Sequence, residues 1–186
     1  MQVETQDFLD LVEETNSLYT WDIESHGFNA DYGQAYMISI KPFGKKPVSF
    51  AIGPNMNDKQ MVIDAAHMLN QAQCWMTYYG KGFDVKFVNT RLLLHGEEPL
   101  NNPPHLDLYY ALKPKLKTSR KSLGHLLNFF EMEEEKMSVS PNVWAGLAGD
   151  KFDKNIKILR KRCESDCEGL EQLYTRTRHL IKEVRR

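Results

Sequence analysis

An α/β fold, one mixed sheet with helices on both faces, is predicted by the order of three kinds of segment. Short strand-like runs come first, helix and strand then alternate, and one long amphipathic helix closes the chain. The leading segment, Thr5 to Glu14, sets Phe8, Leu9, Leu11 and Val12 close enough for a short helix. Ser17–Glu24 is dense in aromatic and β-branched residues and reads as a strand. Tyr36–Ile40 and Val48–Ile52 read as two more, around the turn residues Gly44, Lys45, Lys46 and Pro47. Three short strands in succession predict an antiparallel meander. Met61, Val62, Ala65, Ala66, Met68 and Leu69 share a helix face, and Cys74–Tyr79 forms an apolar strand after it. Gly82–His95 reads as a helix stopped by Gly96. Pro103 and Pro104 break the chain before the strand end at His105-Leu106-Asp107-Leu108. Ser122–Phe130 is a short amphipathic helix, an acidic patch from Glu131 to Glu135 opens a polar connection, and the last helix runs from about Asp153 to Ile181. The sheet expected is five-stranded, the meander plus parallel strands.

With 186 residues the chain suits one domain over 1–186, with 1–16 as a leading helix or appendage. It is long enough to bury roughly 70% of its unfolded surface without staples. The formal net charge of -1 neither requires nor excludes a nucleic-acid partner, since an acidic metal site offsets basic grooves. Cys74, Cys163 and Cys167 are odd in number and lack framework spacing, which points to a reducing compartment; the expected location is cytoplasmic. No apolar run reaches the ~18 residues of a membrane span, and the start lacks the pattern of a signal peptide.

Four carboxylates stand where the pattern calls for apolar residues. In Trp21-Asp22-Ile23-Glu24 the two acids are two apart on a strand and so share a face, where they repel unless a cation intervenes. The alternative is that this face is simply wet. Asp84 lies near a helix start and shares a stripe with Val88 and Leu92; it serves either a metal or the helix N-terminus. Asp166 falls inside the stripe of Ile156, Leu159, Cys163, Leu170, Leu173 and Tyr174, where a charge needs a metal or a salt-bridge partner. Four oxygen donors without a His/Cys cluster suit two hard ions, Mg²⁺ or Mn²⁺, in the arrangement that hydrolyses phosphodiesters.

These segments resemble the DEDD 3′–5′ exonucleases, and the chain looks like a stand-alone relative of the family's proofreading members. Tyr19 to Phe28 is similar to the family's first motif, Tyr78 to Arg91 to its second, and Arg162-Cys163-Glu164-Ser165-Asp166 to its third. His105 to Leu108 and Ser122 to Leu127 stand where relatives carry an Asp-Leu step and a Ser-Leu helix. The resemblance implies a ribonuclease H-like fold, two Mg²⁺ or Mn²⁺ ions held by Asp22, Glu24, Asp84 and Asp166, and removal of nucleotides from a 3′ end. Ser25, His26, Gly27 and Phe28 match the segment that lies against the terminal nucleotide; His26 or Phe28 would stack on a base, or Phe28 would join the core. Two departures from the pattern stand out. Arg162 and Lys161 stand where relatives place a water-orienting Tyr or His, and Arg162 is suited to a phosphate instead. Tyr79 stands where relatives often have Asn, as a stacking face or as a strand-end core residue.

No Walker loop, G-x-S-x-G elbow or zinc spacing is present, and Cys163 and Cys167 read as core thiols. Basic residues gather at Lys113, Lys115, Lys117, Arg120 and Lys121, again at Lys157, Arg160, Lys161 and Arg162, and towards the end at Arg176, Arg178, Lys182, Arg185 and Arg186. They either track a phosphate backbone or form a solvated surface. The partner expected is single-stranded DNA or RNA with a free 3′ end, with a replication or repair protein as a further possibility. A catalytically weak nuclease fold that binds nucleic acid or a protein, and an endonuclease, are the alternatives.

Overall fold

The computed structural model describes residues 5–133 and 138–181. Strands β1 (Leu18–Ser25), β2 (Ala35–Pro42), β3 (Val48–Ala51), β4 (Cys74–Thr77) and β5 (His105–Asp107) form one sheet in the order β3-β2-β1-β4-β5. The β1–β2 and β2–β3 pairs are antiparallel, and the β1–β4 and β4–β5 pairs are parallel. The sheet is therefore the expected meander joined to parallel strands. Gly44 takes φ +70° in the β2–β3 turn, a conformation that glycine adopts without strain. Parallel neighbours need long crossovers, and helices supply them. Helix α2 (Lys59–Leu69) precedes β4, and α3 (Asp84–Leu94) links β4 to β5.

Alternation along β1 decides what each face receives. Trp21 and Ile23 point to one side, into a cluster with Ile38, Ile40 and Trp75 and with Val62, Ala65, Phe87 and Val88 of α2 and α3. Trp21 and Trp75 meet edge to face, 5.7 Å between ring centroids. Leu18 belongs to the other side, with Met76, Leu106, Leu170 and Leu173, beneath the long helix α7 (Phe152–Thr177). Asp22 and Glu24 have the parity of Leu18, so they emerge under α7.

Helix α1 (Thr5–Glu14) buries Leu9 and Val12 in this second cluster. Arg178 pairs with Asp10 and Glu13, and the Tyr174 hydroxyl donates to Glu13, which fixes α1 to the end of α7. Asp107 ends β5, and its side chain caps α4 (Leu108–Leu112); Ser122 caps α5 (Leu123–Phe129).

Three segments differ from expectation. The helix expected from Gly82 begins at Asp84, because residues 79–83 form a turn closed by Gly82 and Phe83 N–H bonds to the Tyr79 carbonyl. The expected polar connection contains α6 (Pro141–Ala145), opened by a Ser140 cap and Pro141, followed by a 3₁₀ turn at Gly146–Ala148. Five residues are too few to show a helical period. The last helix stops at Thr177, and a 3₁₀ turn, Arg178–Leu180, finishes it. Glu134, Glu135, Lys182, Arg185 and Arg186, named above for their charge, lie outside the described residues. Among the described residues no helix is long and apolar enough to cross a membrane.

A buried ion-pair network locks the α2–α3 layer to the sheet. Asp58, with no exposed surface, accepts from Arg91 Nε and Nη2 at 2.8 and 2.7 Å and from the Ala35 N–H at 3.0 Å, and meets His95 Nε2 at 2.9 Å. Arg91 Nη1 continues to the Ala30 carbonyl, tying in the loop after β1. Burial pushes the Asp58 carboxyl up, but the bonds from Arg91, His95 and Ala35 outweigh it and hold the group below its ordinary value. A depressed carboxyl stabilises the fold above the unfolded pKa of about 3.9, and the contribution is lost as pH falls through the folded value. Asp58→Ala should therefore cost about 3–5 kcal/mol in urea unfolding at pH 7, since it strands a buried guanidinium. The gap from wild type should close as the titration moves into strong acid. A loss under 1 kcal/mol at neutral pH would contradict the network's role.

Candidate active site

The carboxylates of β1 meet α7 across the sheet face. Asp22, Glu24 and Asp166 each bring an oxygen to a common point, all three within 4.8 Å of one another. Glu24 and Asp166 are 5% and 3% exposed, and Asp22 is half-buried. Asp84, also buried, is the first residue of α3 and stands outside this trio. Its Oδ1 accepts from the N–H of Ile23 at 3.2 Å, between Asp22 and Glu24. Strand β4 stops at Thr77 while β1 runs on, so that N–H lies along an edge β4 has left, and Asp84 takes it. The helix N-terminus is thus joined to the strand that carries the first two acids.

Helix α7 is stapled where it crosses the sheet. The Ser49 hydroxyl donates to Glu164 at 2.6 Å, Lys41 pairs with Glu171, and the Cys167 thiol donates to the Ser39 carbonyl at 3.4 Å. These contacts bracket Asp166 along the helix. Cys163 lies beneath Asp22, its sulfur 3.3 Å from the Asp22 carbonyl and 3.7 Å from its Oδ2. Burial, reinforced by the Asp22 carboxylate, raises the Cys163 thiol well above its ordinary value, so it donates to Asp22 as a thiol.

Arg162 lies one turn before Asp166. Its Nε is 2.6 Å from Glu24 Oε1, an ion pair close in distance but not aligned as a hydrogen bond. The guanidinium carbon is 5.8 Å from the centroid of the Trp144 ring. Trp144 stacks on Tyr36 at 6.1 Å and Tyr36 on His26 at 5.9 Å, making a column from the exposed loop to the cluster. The sequence offered little sign of this column, because Trp144 sits on the five-residue helix α6. A lone Trp in a polar stretch was its only signal.

The segment after β1 turns outward. The Ser25 hydroxyl donates to the Gly27 carbonyl at 2.9 Å, and Gly27 takes φ +76°. Phe28 is 89% exposed, its ring centroid 6.4 Å from that of Phe83, so the core alternative for it is overturned. Tyr32, not anticipated, is equally exposed. Tyr79 is not a core residue either: it is 46% exposed, at φ +69°. A bulky residue in that region costs roughly 1–3 kcal/mol and needs surroundings that impose it. Asp107 imposes it, accepting from the N–H groups of Tyr79 and Lys81, both at 2.9 Å, and of Tyr109 at 3.1 Å. Burial pushes the Asp107 carboxyl up, against these bonds.

A family model described as the RNase H superfamily matches residues 19–178, which is most of the chain. The chain belongs to the RNase H superfamily. Among solved structures it is similar to a family B DNA polymerase from the hyperthermophilic archaeon Pyrobaculum calidifontis, at TM-score 0.69 and 14% identity. That match covers 86% of this chain and 24% of the polymerase, so the chain spans about a quarter of the length of that structure. None of the curated proteins matches it.

Nucleases of the RNase H superfamily generally depend on divalent metal ions, and the donor set here fits one. Three carboxylates converge, a fourth adjoins them, and no imidazole joins the cluster, which suits a hard ion rather than zinc. Like charges this close also weaken the fold until a cation offsets them. Saturating Mn²⁺ should accordingly raise the melting temperature by several degrees, since a ligand at 100 times its Kd adds about 2.7 kcal/mol. Asp166→Asn should melt higher than wild type in EDTA and lose the Mn²⁺ response. An undiminished Mn²⁺ shift in that variant would remove Asp166 from the ligand set.

Proposed function

We propose that this RNase H superfamily chain is a metal-dependent 3′–5′ exonuclease that hydrolyses single-stranded nucleic acid by a two-metal mechanism. The observation that carries the reading is the convergence of Asp22, Glu24 and Asp166 under α7, with Asp84 bound to the backbone between the first two. Two Mg²⁺ or Mn²⁺ ions held by these four residues would supply the charge that lowers the pKa of an attacking water and offsets charge at the scissile phosphate. The rest falls to the chain's own groups. Phe28 and His26 stand exposed on the loop that follows Glu24 and offer faces to a terminal base. A guanidinium offers N–H donors and no acceptor, so Arg162 is not suited to take a proton from water. Its planar fork instead suits a phosphate oxygen, and Trp144 holds it beside the carboxylates.

One observation favours the runner-up reading, a weak or inactive nuclease fold that binds nucleic acid or a protein partner. Arg162 occupies the position of the usual base and is paired with Glu24. The two readings separate on 5′-labelled single-stranded DNA and RNA with Mn²⁺, Mg²⁺ or EDTA, beside an Asp22→Ala/Asp166→Ala control. The exonuclease gives a ladder that shortens from the 3′ end and vanishes with EDTA and in the control. Internal fragments would instead make it an endonuclease, and a bound but uncut strand would favour the weak module. In the active case Arg162→Ala should lower turnover about 10²-fold, the usual loss for one charge-stabilising donor, with Arg162→Lys recovering part. Unchanged turnover in Arg162→Ala would remove the phosphate role.

A further inference from the structure

We propose that Tyr79 and Tyr110, flanked by Lys81, Lys113 and Lys115, form a stacking platform for the stretch of single strand upstream of the cleaved bond. This deepens the reading above and rests on its nucleic-acid substrate. Tyr79 and Tyr110 are each 46% exposed, with ring centroids 5.8 Å apart and planes tilted by 30°. Tyr109 stands edge-on to both, at 5.1 Å from each, and holds them apart from the core. The pair is built rather than incidental. Tyr79 keeps φ +69° although its side chain disfavours it, and Asp107 binds the turn on both sides of it. Gly82 lets the ring lie down, since a Cβ there would come within 2.5 Å of the ring's Cζ. A hydrophobic tyrosine bound for the core would need none of this.

Charge around the rings selects the occupant. Lys113 sits over Tyr109 at 5.5 Å, and Lys81, Lys115 and Tyr110 line a cavity of about 450 Å³. Asp107 also lines it, but its oxygens face the N–H groups of the turn. The loop carrying Lys113 and Lys115 continues to Arg120, which lines a second cavity together with Arg162, the residue paired with Glu24. One basic loop therefore serves both the tyrosines and the carboxylate site. Aromatic faces alternating with lysines fit unstacked bases on an anionic backbone better than an acidic polypeptide, which has charge but no flat faces.

The test is fluorescence anisotropy in EDTA, where no strand is cut, with 5′-fluorescein-labelled oligonucleotides of twelve residues, a matched abasic strand, and poly-aspartate. Melting curves confirm that each variant is folded. Tyr110→Ala should raise the Kd for the twelve-mer about tenfold, within the range for losing one stacked base, and Tyr110→Phe should restore it. The abasic strand should not distinguish Tyr110→Ala from wild type. Lys113→Ala should weaken binding of both strands and flatten the salt dependence. If Tyr110→Ala binds the twelve-mer as wild type does, while wild type still binds and degrades it with Mn²⁺, the platform is wrong and the nuclease reading stands. If wild type binds no oligonucleotide at all, both fall. Equal loss of poly-aspartate and oligonucleotide binding in Tyr110→Ala would mean the face reads charge alone, and would overturn stacking.

Discussion

Three carboxylates held within 4.8 Å of one another, two of them nearly buried, are the constraint on which the rest of this structure turns. If all are ionised, each pair repels by roughly 3 kcal/mol or more at an effective dielectric of about 20. Such a cluster persists only if its supports cannot relax. Asp22 and Glu24 are placed on the central strand, hydrogen-bonded to β2 on one side and to β4 and then Asp84 on the other. Asp166 is placed on the longest helix, pinned to β2, β3 and α1 by contacts that flank it along the axis. Neither support can swing away without breaking several bonds at once, so the repulsion is left to be answered by positive charge. Arg162 answers it on Glu24.

The loops obey the same logic at longer range. The Asp58–Arg91–His95 network fixes α3, whose first residue is Asp84, and through Ala30 and Ala35 it also fixes the middle and the far end of the loop after β1. Asp107 does the corresponding work on the other flank, holding the turn that delivers the chain from β4 to Asp84. Two buried acids that take no place in the trio thus set the positions of groups around it. Each is satisfied by donors, which is why burial is tolerated there without a cation from outside.

Periodicity made much of this legible. A two-residue period puts Asp22 and Glu24 on one face of a strand, and a run of twenty-odd helical residues shows plainly that Asp166 interrupts an apolar stripe. What period does not carry is the identity of the element opposite. Nothing local to Asp84 points to the N–H of Ile23, sixty-one positions away, and nothing local to Arg91 points to Asp58. Phe28 illustrates a second limit. An aromatic residue in a loop has no periodic neighbours to place it, so exposure and burial look alike until the loop is folded. Helix α6 is the third case: it lies in what reads as a polar connection, its length is not enough to repeat, and with it the Trp144 contact to Arg162 stayed hidden.

That contact bears on how an arginine is held beside the carboxylates. The Arg162 guanidinium has two neighbours of different physical kind. Its attraction to Glu24 is charge on charge, and any added cation or anion near the cluster changes it. Its contact with Trp144 depends on the ring's quadrupole and on planar overlap, is worth about 0.5–2 kcal/mol, and is largely indifferent to what else the carboxylates hold. An arginine anchored only by Glu24 would be lost from the site once that charge was shared. One that also rests on Trp144, itself stacked on Tyr36, keeps its position while its charge becomes available to an anion. The stack therefore separates where Arg162 is held from what it is paired with, and the phosphate role proposed for it requires that separation.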